Sequence, residues 1–239
     1  MAPATAVLVH GAWGHPGDWD DVVGALAEAA VPALVADLPT ARAPEATTTD
    51  DVEHVRALVA GAGGPVVLCG HSYGGIVVTG VGTDLPDASR LVYLAALVPD
   101  VGQSMADLVG DGPARSTSEV EVRPDGSTLL LDWASPSWDY PADALARMAR
   151  HPRRPFAAGA RGTAVEAAGW RDLPSTYVLA ERDASLPARL QREMAARCDR
   201  LVEVDAGHMV VHEHPDLVVE VLLGEVAATS SAEGPPPAP

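Results

Sequence analysis

The sequence predicts an α/β fold in which a mostly parallel six-stranded sheet carries helices on both faces. The first observation is that six short apolar runs, typical of buried parallel strands, alternate with segments of helical spacing. The second is size and composition, because 239 residues with 47% hydrophobic side chains can bury one large core. In such a sheet, functional residues are expected at the carboxyl ends of the strands.

The predicted strands are runs rich in Val, Leu and Ala that are bounded by Gly, Pro or Asp. They cover residues 5–10, 33–36, 65–69, 90–97, 175–180 and 201–204. Apolar residues spaced three and four apart predict helices at 18–29, 49–60, 187–197 and 215–226. A further helix of small residues follows the third strand. The helix at 49–60 begins at Thr49 or Asp50, whose side chains can accept its free N–H groups.

The alternation is interrupted between the fourth and fifth strands, where Pro, Gly and charged residues break every apolar run. We interpret residues 98–172 as a lid inserted over the carboxyl ends of the strands, with a turn at 123–126. The core domain is then expected to consist of residues 1–97 and 173–227. Residues 228–239 form a low-complexity stretch rich in Pro and Ala, which predicts a disordered tail.

Charge and cysteine content limit the classes of partner and the compartment. The net charge of −17 argues against a protein that binds nucleic acid or an anionic membrane surface. The two cysteines, Cys69 and Cys198, do not make a disulfide framework, and no signal peptide or membrane-spanning run is evident, so we expect a cytoplasmic protein. Its expected partner is a small-molecule substrate, and the sequence is compatible with a homodimer.

The most informative stretch joins the third strand to its helix through the residues 70–74, Gly-His-Ser-Tyr-Gly. This G-x-S-x-G spacing is typical of a sharp strand-to-helix turn that exposes a serine hydroxyl above the sheet. Gly70 and Gly74 suit such a turn because the strand and helix backbones pass close together there. We therefore predict that Ser72 is a nucleophile, and the alternative is a plain glycine-rich turn.

A serine hydroxyl needs a base and an orienting acid to act as a nucleophile. His208 follows the last predicted strand and Asp183 follows the strand before it. The chain order Ser72, Asp183, His208 is that of catalytic triads built on a serine turn of this kind. Asp100, just after the fourth strand, is the alternative acid.

Stabilisation of an oxyanion is the second requirement for acyl transfer. One donor is predicted to be the backbone N–H of Tyr73, the residue after the nucleophile. The other is predicted to come from the loop after the first strand, where Ala12 is our choice and Trp13 the alternative.

The remaining histidines near these positions need a separate interpretation. His208, His212 and His214 are close in sequence, but no carboxylate or Cys pair completes a tetrahedral zinc site. We therefore expect neither a metal nor a cofactor. His10 and His71 flank the predicted site, and we interpret them as structural residues rather than as bases.

The segments 8–13, 70–75 and 207–208 resemble the α/β-hydrolase superfamily, and more narrowly its small-lidded branch of plant methylesterases and hydroxynitrile lyases. The resemblance covers the core and does not extend in detail to the lid. The lyases of that branch carry a Thr after the first His and a Lys after the catalytic His. This chain has Gly11 and Met209 at those positions. The resemblance therefore implies the esterase side of the branch.

These patterns together predict a serine hydrolase that cleaves a small to medium carboxylic ester or lactone through an acyl-enzyme. Two alternatives stay open. One is a lyase or cyclase of natural-product metabolism that uses the same base on the same scaffold. The other is a small-molecule receptor that retains the triad.

The substrate pocket is predicted to be apolar and to lie between the lid and the triad. Its candidate lining residues are Trp13, Tyr73, Trp133, Trp138 and Met209. For Trp133 and Trp138 the alternative is a packing role between the lid and the core.

Overall fold

The computed structural model describes residues 4–82, 85–110, 120–131, 133 and 138–232, which form an α/β structure built on one large sheet. The strands are β1 (Thr5–Val9), β2 (Ala33–Val35), β3 (Val66–His71), β4 (Ala88–Leu94), β5 (Val120–Val122), β6 (Thr128–Leu130), β7 (Ser175–Ala180) and β8 (Arg200–Val204). The α-helices are α1 (Asp20–Glu28), α2 (Thr48–Gly61), α3 (Gly74–Val81), α4 (Met105–Val109), α5 (Ala142–Met148), α6 (Gly159–Gly162), α7 (Ala188–Ala195), α8 (Val210–Glu213) and α9 (Pro215–Ala232).

The large sheet has six strands within the described ranges, in the order β2-β1-β3-β4-β7-β8, and all neighbouring strands are parallel. The fold class predicted from the sequence is confirmed. β3 lies at the centre of the sheet, where its Leu68 is aligned with Val7 of β1 and Leu91 of β4. Because helices cover both faces, β1 and β3 are buried along their whole length, which explains their unbroken apolar sequences.

Alternate side chains of the strands pack into two separate cores, one on each face of the sheet. Val7 and Val9 of β1 belong to the core that contains the apolar residues of α2 and α3. Ala6 and Leu8 belong to the core that contains those of α1 and α9. This two-residue period is the normal geometry of a strand, and it lets one apolar run serve both cores.

The segment between β4 and β7 contains α4, the antiparallel hairpin β5–β6, α5 and α6. The hairpin turn falls at the predicted residues, with Gly126 at a φ of +82° and its N–H donating to the carbonyl of Arg123 at 2.9 Å. Glycine suits this left-handed position because it has no Cβ. A lid role for residues 98–172 stays a prediction.

The loop after β1 is attached to this inserted segment through Trp13. The Trp13 Nε1–H donates to Thr128 Oγ1 at 3.0 Å, and the Trp13 carbonyl accepts from the N–H of Arg154 at 3.1 Å. Thr128 also exchanges two backbone hydrogen bonds with Phe156, at 2.9 and 2.8 Å. The hairpin, the chain around residue 155 and the β1 loop therefore form one hydrogen-bonded unit.

β4 ends three residues earlier than predicted. The strand stops at Leu94 because Ala95 adopts a left-handed conformation with a φ of +42°. The chain then turns towards the end of β3, and the N–H of Leu97 donates to the carbonyl of Ser72 at 3.1 Å. The apolar residues at 95–97 are buried in this turn rather than in the strand, which is why the sequence pattern did not distinguish them.

The last helix is longer than predicted. α9 continues to Ala232, so the prediction that the disordered tail begins at residue 228 is wrong. Thr229 is buried and its Oγ1 donates to the carbonyl of Glu225 at 3.0 Å, as expected for a residue packed inside a helix. Residues 233–239 of the predicted tail lie outside the described residues. Within the described part of the chain, no helix combines the length and apolar character needed to cross a membrane.

Candidate active site

Ser72 occupies the turn between β3 and α3 in a left-handed conformation, with a φ of +53°. Its N–H donates to the carbonyl of Leu94 at 3.1 Å, and its own carbonyl accepts from Leu97. These bonds hold a conformation that is strained for a residue with a side chain. A Cβ on Gly70 would lie 2.4 Å from the carbonyl oxygen of Gly74, so only glycine fits this close approach.

The side chains of His208 and Asp183 meet Ser72 at the carboxyl edge of the sheet. His208 Nε2 lies 2.9 Å from Ser72 Oγ, and His208 Nδ1 lies 2.7 Å from Asp183 Oδ2. The Asp183 side chain is fully buried, whereas that of His208 is 12% exposed. When Nδ1–H is donated to the carboxylate, Nε2 is left unprotonated towards the serine. The arrangement can therefore perform general-base activation of a hydroxyl nucleophile.

The carboxylate of Asp183 is held through both of its oxygens. Oδ1 accepts hydrogen bonds from the N–H groups of Ser185 at 2.7 Å and Leu186 at 2.8 Å. Oδ2, which faces His208, also accepts from Nε2 of Gln191 at 3.0 Å. These partners fix the orientation of the carboxylate towards His208.

Gln191 is a supporting residue that the sequence patterns did not identify. It is fully buried, and its Oε1 accepts from the N–H of Ala180 at 3.0 Å, which ties the Asp183 loop to the end of β7. The signal that could have revealed it is an amide on the buried face of α7, beside Met194 and Ala195. A buried amide on an apolar face needs hydrogen-bond partners, and here these include the acid.

Asp100, the alternative acid, lies outside this cluster. Its Oδ2 accepts a hydrogen bond from Arg171 at 2.6 Å, and its Oδ1 accepts from the N–H of Val101 at 2.7 Å. The hydrogen bond from Arg171 lowers the pKa of Asp100. Of the two candidate acids, Asp183 is the one that contacts His208.

The backbone N–H groups proposed as oxyanion donors are available in the structure. Those of Ala12 and Tyr73 have no acceptor among the described residues, and the same holds for Trp13. The loop after β1 lies directly against the nucleophile, because a Cβ on Gly11 would come within 2.9 Å of the Ser72 Cβ. This proximity is what two donors for one oxyanion beside Ser72 require.

The side chain of Tyr73 does not border the active-site cavity, so its prediction as a lining residue is wrong. It is fully buried, and its hydroxyl donates to Asp51 Oδ2 at 2.8 Å. Asp51 also accepts from the N–H and the Oγ1 of Thr40, at 2.9 and 2.6 Å. Burial raises the pKa of Asp51 to about 6, although these hydrogen bonds act in the opposite direction. Tyr73 therefore contributes its backbone at the site and its ring to the core.

Two buried histidines, His71 and His10, form hydrogen bonds with backbone carbonyls of the site. His71 Nε2 donates to the carbonyl of His208 at 2.8 Å, and the two rings lie 4.9 Å apart. Burial, followed by the nearby His208, lowers the pKa of His71 to about 3. His10 Nδ1 donates to the carbonyl of Gly11 at 2.8 Å, and burial lowers the pKa of His10 to about 4. Both rings are neutral at pH 7, and the histidine nitrogen that contacts Ser72 Oγ belongs to His208.

A cavity of about 800 Å³, counting its open mouth, lies in front of Ser72 and His208. Four of the five predicted lining residues border it, namely Trp13, Trp133, Trp138 and Met209. Trp138 is buried and stacks on Tyr140 with ring centroids 5.9 Å apart. Trp138 thus combines the two roles considered for it, since it borders the cavity and packs against its neighbours.

The histidines that follow His208 do not converge with it. His212 lies beside Asp18, with Nε2 3.4 Å from Oδ1, whereas His214 Nε2 donates to the carbonyl of Asp205 at 3.3 Å. Over the described ranges, no three side chains of His, Cys, Asp or Glu are arranged to hold a metal ion.

Comparison with known families agrees with this architecture. Residues 6–221 match the family described as the Alpha/beta hydrolase family. The chain belongs to this family. The Alpha/beta hydrolase nvfD of Aspergillus novofumigatus (strain IBT 16806) is 30% identical over 248 residues, which cover 93% of this chain and 96% of that protein. The resemblance inferred from the sequence is confirmed at the level of the family. Membership of this family and similarity to a named hydrolase support hydrolase activity.

Solved structures share the alpha/beta hydrolase fold over nearly the whole chain. A pyrethroid hydrolase from Sphingobium faniae JZ-2 is 22% identical, with a TM-score of 0.79 over 95% of this chain and 99% of that one. Polyneuridine aldehyde esterase is 21% identical, with a TM-score of 0.76 over 93% of this chain and 99% of that one. At this identity the likeness establishes the fold.

Proposed function

We propose that this protein is a serine hydrolase that cleaves a small to medium carboxylic ester or lactone through an acyl-enzyme. The observation that carries the proposal is the line of hydrogen bonds from Ser72 Oγ to His208 Nε2 at 2.9 Å and from His208 Nδ1 to Asp183 at 2.7 Å. An activated serine beside two unused backbone donors suits acyl transfer.

In the acylation step, His208 removes the proton of Ser72 as Oγ attacks the ester carbonyl carbon. Asp183 holds the imidazole in the required tautomer and stabilises the imidazolium that forms. The N–H groups of Ala12 and Tyr73 donate to the oxyanion of the tetrahedral intermediate. His208 then gives its proton to the leaving alkoxide, so an alcohol departs and the acyl group remains on Ser72.

In the deacylation step, a water molecule takes the place of the alcohol. His208 removes a proton from this water, which attacks the acyl carbonyl, and the same two N–H groups stabilise the second oxyanion. Collapse of the intermediate returns the proton to Ser72 Oγ and releases the carboxylic acid. The residues of the chain are sufficient for every proton transfer in this cycle.

An apolar substrate is supported by the character of the cavity. Trp13, Trp133 and Trp138 border it together with Met209, and aromatic and thioether side chains bind apolar groups well. Polyneuridine aldehyde esterase and the pyrethroid hydrolase, which share the fold, are named for ester- or pyrethroid-cleaving activity, and this agrees with the proposal.

We further propose that residues 98–172 act as a lid. The proposal is supported by the contribution of this segment to the cavity wall, which includes Met105 of α4, Leu130 of β6 and Met148 of α5. Because these residues border the same cavity as Ser72, differences in this segment would change the size of the acyl and alcohol groups accepted.

The test combines covalent labelling with turnover. The purified protein is treated with a fluorophosphonate and its intact mass is measured, while short p-nitrophenyl esters are assayed with the wild type, Ser72→Ala and Ser89→Ala. Ser89 lies at the start of β4, where its Oγ donates to the carbonyl of Asp87, so its variant is a matched control. We expect one adduct and steady turnover in the wild type and the control, and neither in Ser72→Ala.

Two other outcomes separate the alternatives. Labelling of Ser72 without ester turnover would contradict the hydrolase and favour a receptor with an activated serine. Absence of both labelling and turnover would contradict the acyl-enzyme and favour lyase or cyclase chemistry that uses His208 only as a base.

A further inference from the structure

A buried ion pair forms part of the wall of the apolar cavity. Arg153 Nη2 donates to Asp18 Oδ1 at 2.6 Å, and Nη1 donates to Oδ2 at 3.3 Å. The two side chains are only 7% and 5% exposed. Both residues border the same cavity as Ser72 and His208. The pair joins the loop after β1 to the inserted segment, over 135 residues of sequence.

The charges of this pair are compensated within the protein. Asp18 also accepts a hydrogen bond from the N–H of His15 at 2.9 Å, and His212 Nε2 lies 3.4 Å from Oδ1. Burial alone would raise the pKa of Asp18, but His212 and Arg153 outweigh it and hold the pKa well below its usual range. Asp18 is therefore ionised, and it neutralises the guanidinium of Arg153.

Packing alone does not explain a charged pair at this position. Removing two ions from water is unfavourable, and well-packed apolar residues of similar volume are often equally or more stabilising. The rest of the cavity wall is rich in Trp, Leu and Met, so apolar side chains could also fill the position of this ion pair. An arginine in a ligand cavity, by contrast, offers directional hydrogen-bond donors.

One of these donors is unused. Asp18 occupies the two terminal nitrogens of Arg153, while Nε is buried without an acceptor among the described residues. A buried N–H without a partner is unfavourable, so an oxygen atom that accepts from it gains more than it would in water. Arg153 is one of the residues that border the cavity in front of Ser72, which makes a bound molecule the candidate source of that oxygen atom.

The surrounding charges favour a neutral oxygen over an anion. Because Asp18 already compensates Arg153, a second carboxylate would approach an ion pair without net charge and would be repelled by Asp18. The chain as a whole carries a net charge of −17, which also disfavours an anionic ligand. A ketone, ether or lactone oxygen requires no further charge compensation.

Building on the proposed function, we propose that Arg153, oriented by Asp18, is a specificity-determining residue that binds an uncharged acceptor oxygen of the substrate, remote from the scissile ester. The preferred substrates are then oxygenated esters, with an apolar body and one additional carbonyl or ether oxygen. A purely hydrocarbon acyl chain enters the same cavity but leaves the donor unused.

The test measures binding to Ser72→Ala, so it does not depend on turnover. Calorimetric affinities are compared for ethyl octanoate and the ethyl 4-, 5-, 6- and 7-oxooctanoates, which differ only in the position of one ketone. We expect one oxo isomer to bind about tenfold more tightly than octanoate, the size of effect that one well-made hydrogen bond in a dry site gives. No preference for any isomer would overturn the proposal.

The residues are tested by removing the pair as a unit. Asp18→Asn with Arg153→Met leaves no uncompensated charge, and we expect it to abolish the preference for the oxo isomer. The matched control, Asp21→Asn with Arg150→Met, removes an exposed ion pair of the same composition and should retain the preference. Persistence of the preference without Asp18 and Arg153 would overturn the proposal.

A second variant keeps the test valid if the double variant does not fold. Arg153→Lys keeps the charge beside Asp18 but lacks Nε–H, and we expect it to lose the preference with an unchanged circular dichroism spectrum. Tighter binding of ethyl hydrogen suberate than of every oxo ester would show that an anion is preferred and would overturn the neutral-oxygen assignment. Failure of the hydrolase proposal gives a different result: the wild-type protein is neither labelled by the fluorophosphonate nor active on the p-nitrophenyl esters.

Discussion

His71 Nε2 donates a hydrogen bond to the backbone carbonyl of His208 at 2.8 Å, so the residue before the nucleophile fixes the loop that carries the proposed base. The bond spans 137 residues of sequence and joins the end of β3 to the loop after β8. Burial lowers the pKa of His71, so the protonation of this buried histidine is coupled to folding.

The stability of the protein is expected to fall as the pH drops from about 7 to 5. The pKa values of His10 and His71 are lowered by burial to about 4 and about 3, from 6.5. The unfolded chain therefore binds protons near pH 6.5 that the folded chain does not bind. Each histidine lowers the free energy of unfolding by up to about 1.4 kcal/mol per pH unit below that pH.

Protonation of Asp51 changes the stability in the opposite direction over the same pH range. Its pKa is raised to about 6 from 3.8, so the folded chain gains a proton that the unfolded chain lacks, and this stabilises the fold as the pH falls through 6. Urea unfolding at pH 7, 6 and 5 should show a steeper loss of stability in Asp51→Asn than in the wild type. Equal slopes for the two proteins would contradict this assignment.

Removal of the charge on Asp183 should abolish most of the activity without unfolding the protein. In Asp183→Asn the amide no longer holds the His208 tautomer that accepts the serine proton, and kcat should fall by about 10⁴-fold. Asp100→Asn is the matched control, since Asp100 pairs with Arg171 at the surface, and its kcat should stay within about twofold of the wild type. Comparable losses in both variants would reopen the identity of the acid.

A methyl group on Gly11 should disturb the nucleophile. Its Cβ would lie 2.9 Å from the Ser72 Cβ and 3.2 Å from His71 Nδ1, so Gly11→Ala must displace one of them. A displacement of this kind typically lowers kcat/KM by about 10²-fold. The control is Gly24→Ala on α1, where the new Cβ meets nothing within 4 Å and should stabilise the helix by about 0.5–1 kcal/mol. Unimpaired esterase turnover in Gly11→Ala would show that the loop has more freedom than its contacts indicate.

The ring hydroxyl of Tyr73 should matter for stability and very little for catalysis. Tyr73→Phe deprives the buried Asp51 of one donor, and the free energy of unfolding should fall by about 1–3 kcal/mol. The backbone N–H at this position is unchanged, so the rate of fluorophosphonate labelling should stay within about twofold. Denaturant unfolding and labelling kinetics on the same sample test both halves, and a large loss of labelling at full stability would contradict the role given to the backbone.

The residues that the sequence located are those with a local pattern. Ser72 is marked by its flanking glycines, while Asp183 and His208 each follow an apolar strand, and parallel strands end at one edge of the sheet. These rules place three residues that are distant in sequence at the same edge of the sheet, and they require no information about side-chain contacts. The fold class followed from the same alternation of strands and helices.

The residues that the sequence did not locate act through contacts between distant segments. Gln191, Arg153 and Asp51 are ordinary polar residues in their own segments, and their roles arise only when another segment covers them. The direction of the Tyr73 side chain was missed for the same reason, because Asp51 provides the partner that holds it in the core. The end of α9 was missed because Ala, Ser and Thr occur both in tails and in packed helices.

The hydrogen-bonded unit of Trp13, Thr128 and Arg154 has a consequence for kinetics. Ala12, the neighbour of Trp13, carries one of the two N–H groups proposed to stabilise the oxyanion. A substrate that displaces the β5–β6 hairpin on entering the cavity would therefore also displace the loop after β1, which carries Ala12. We therefore expect substrates that fit this hairpin poorly to react slowly even when they are fully bound.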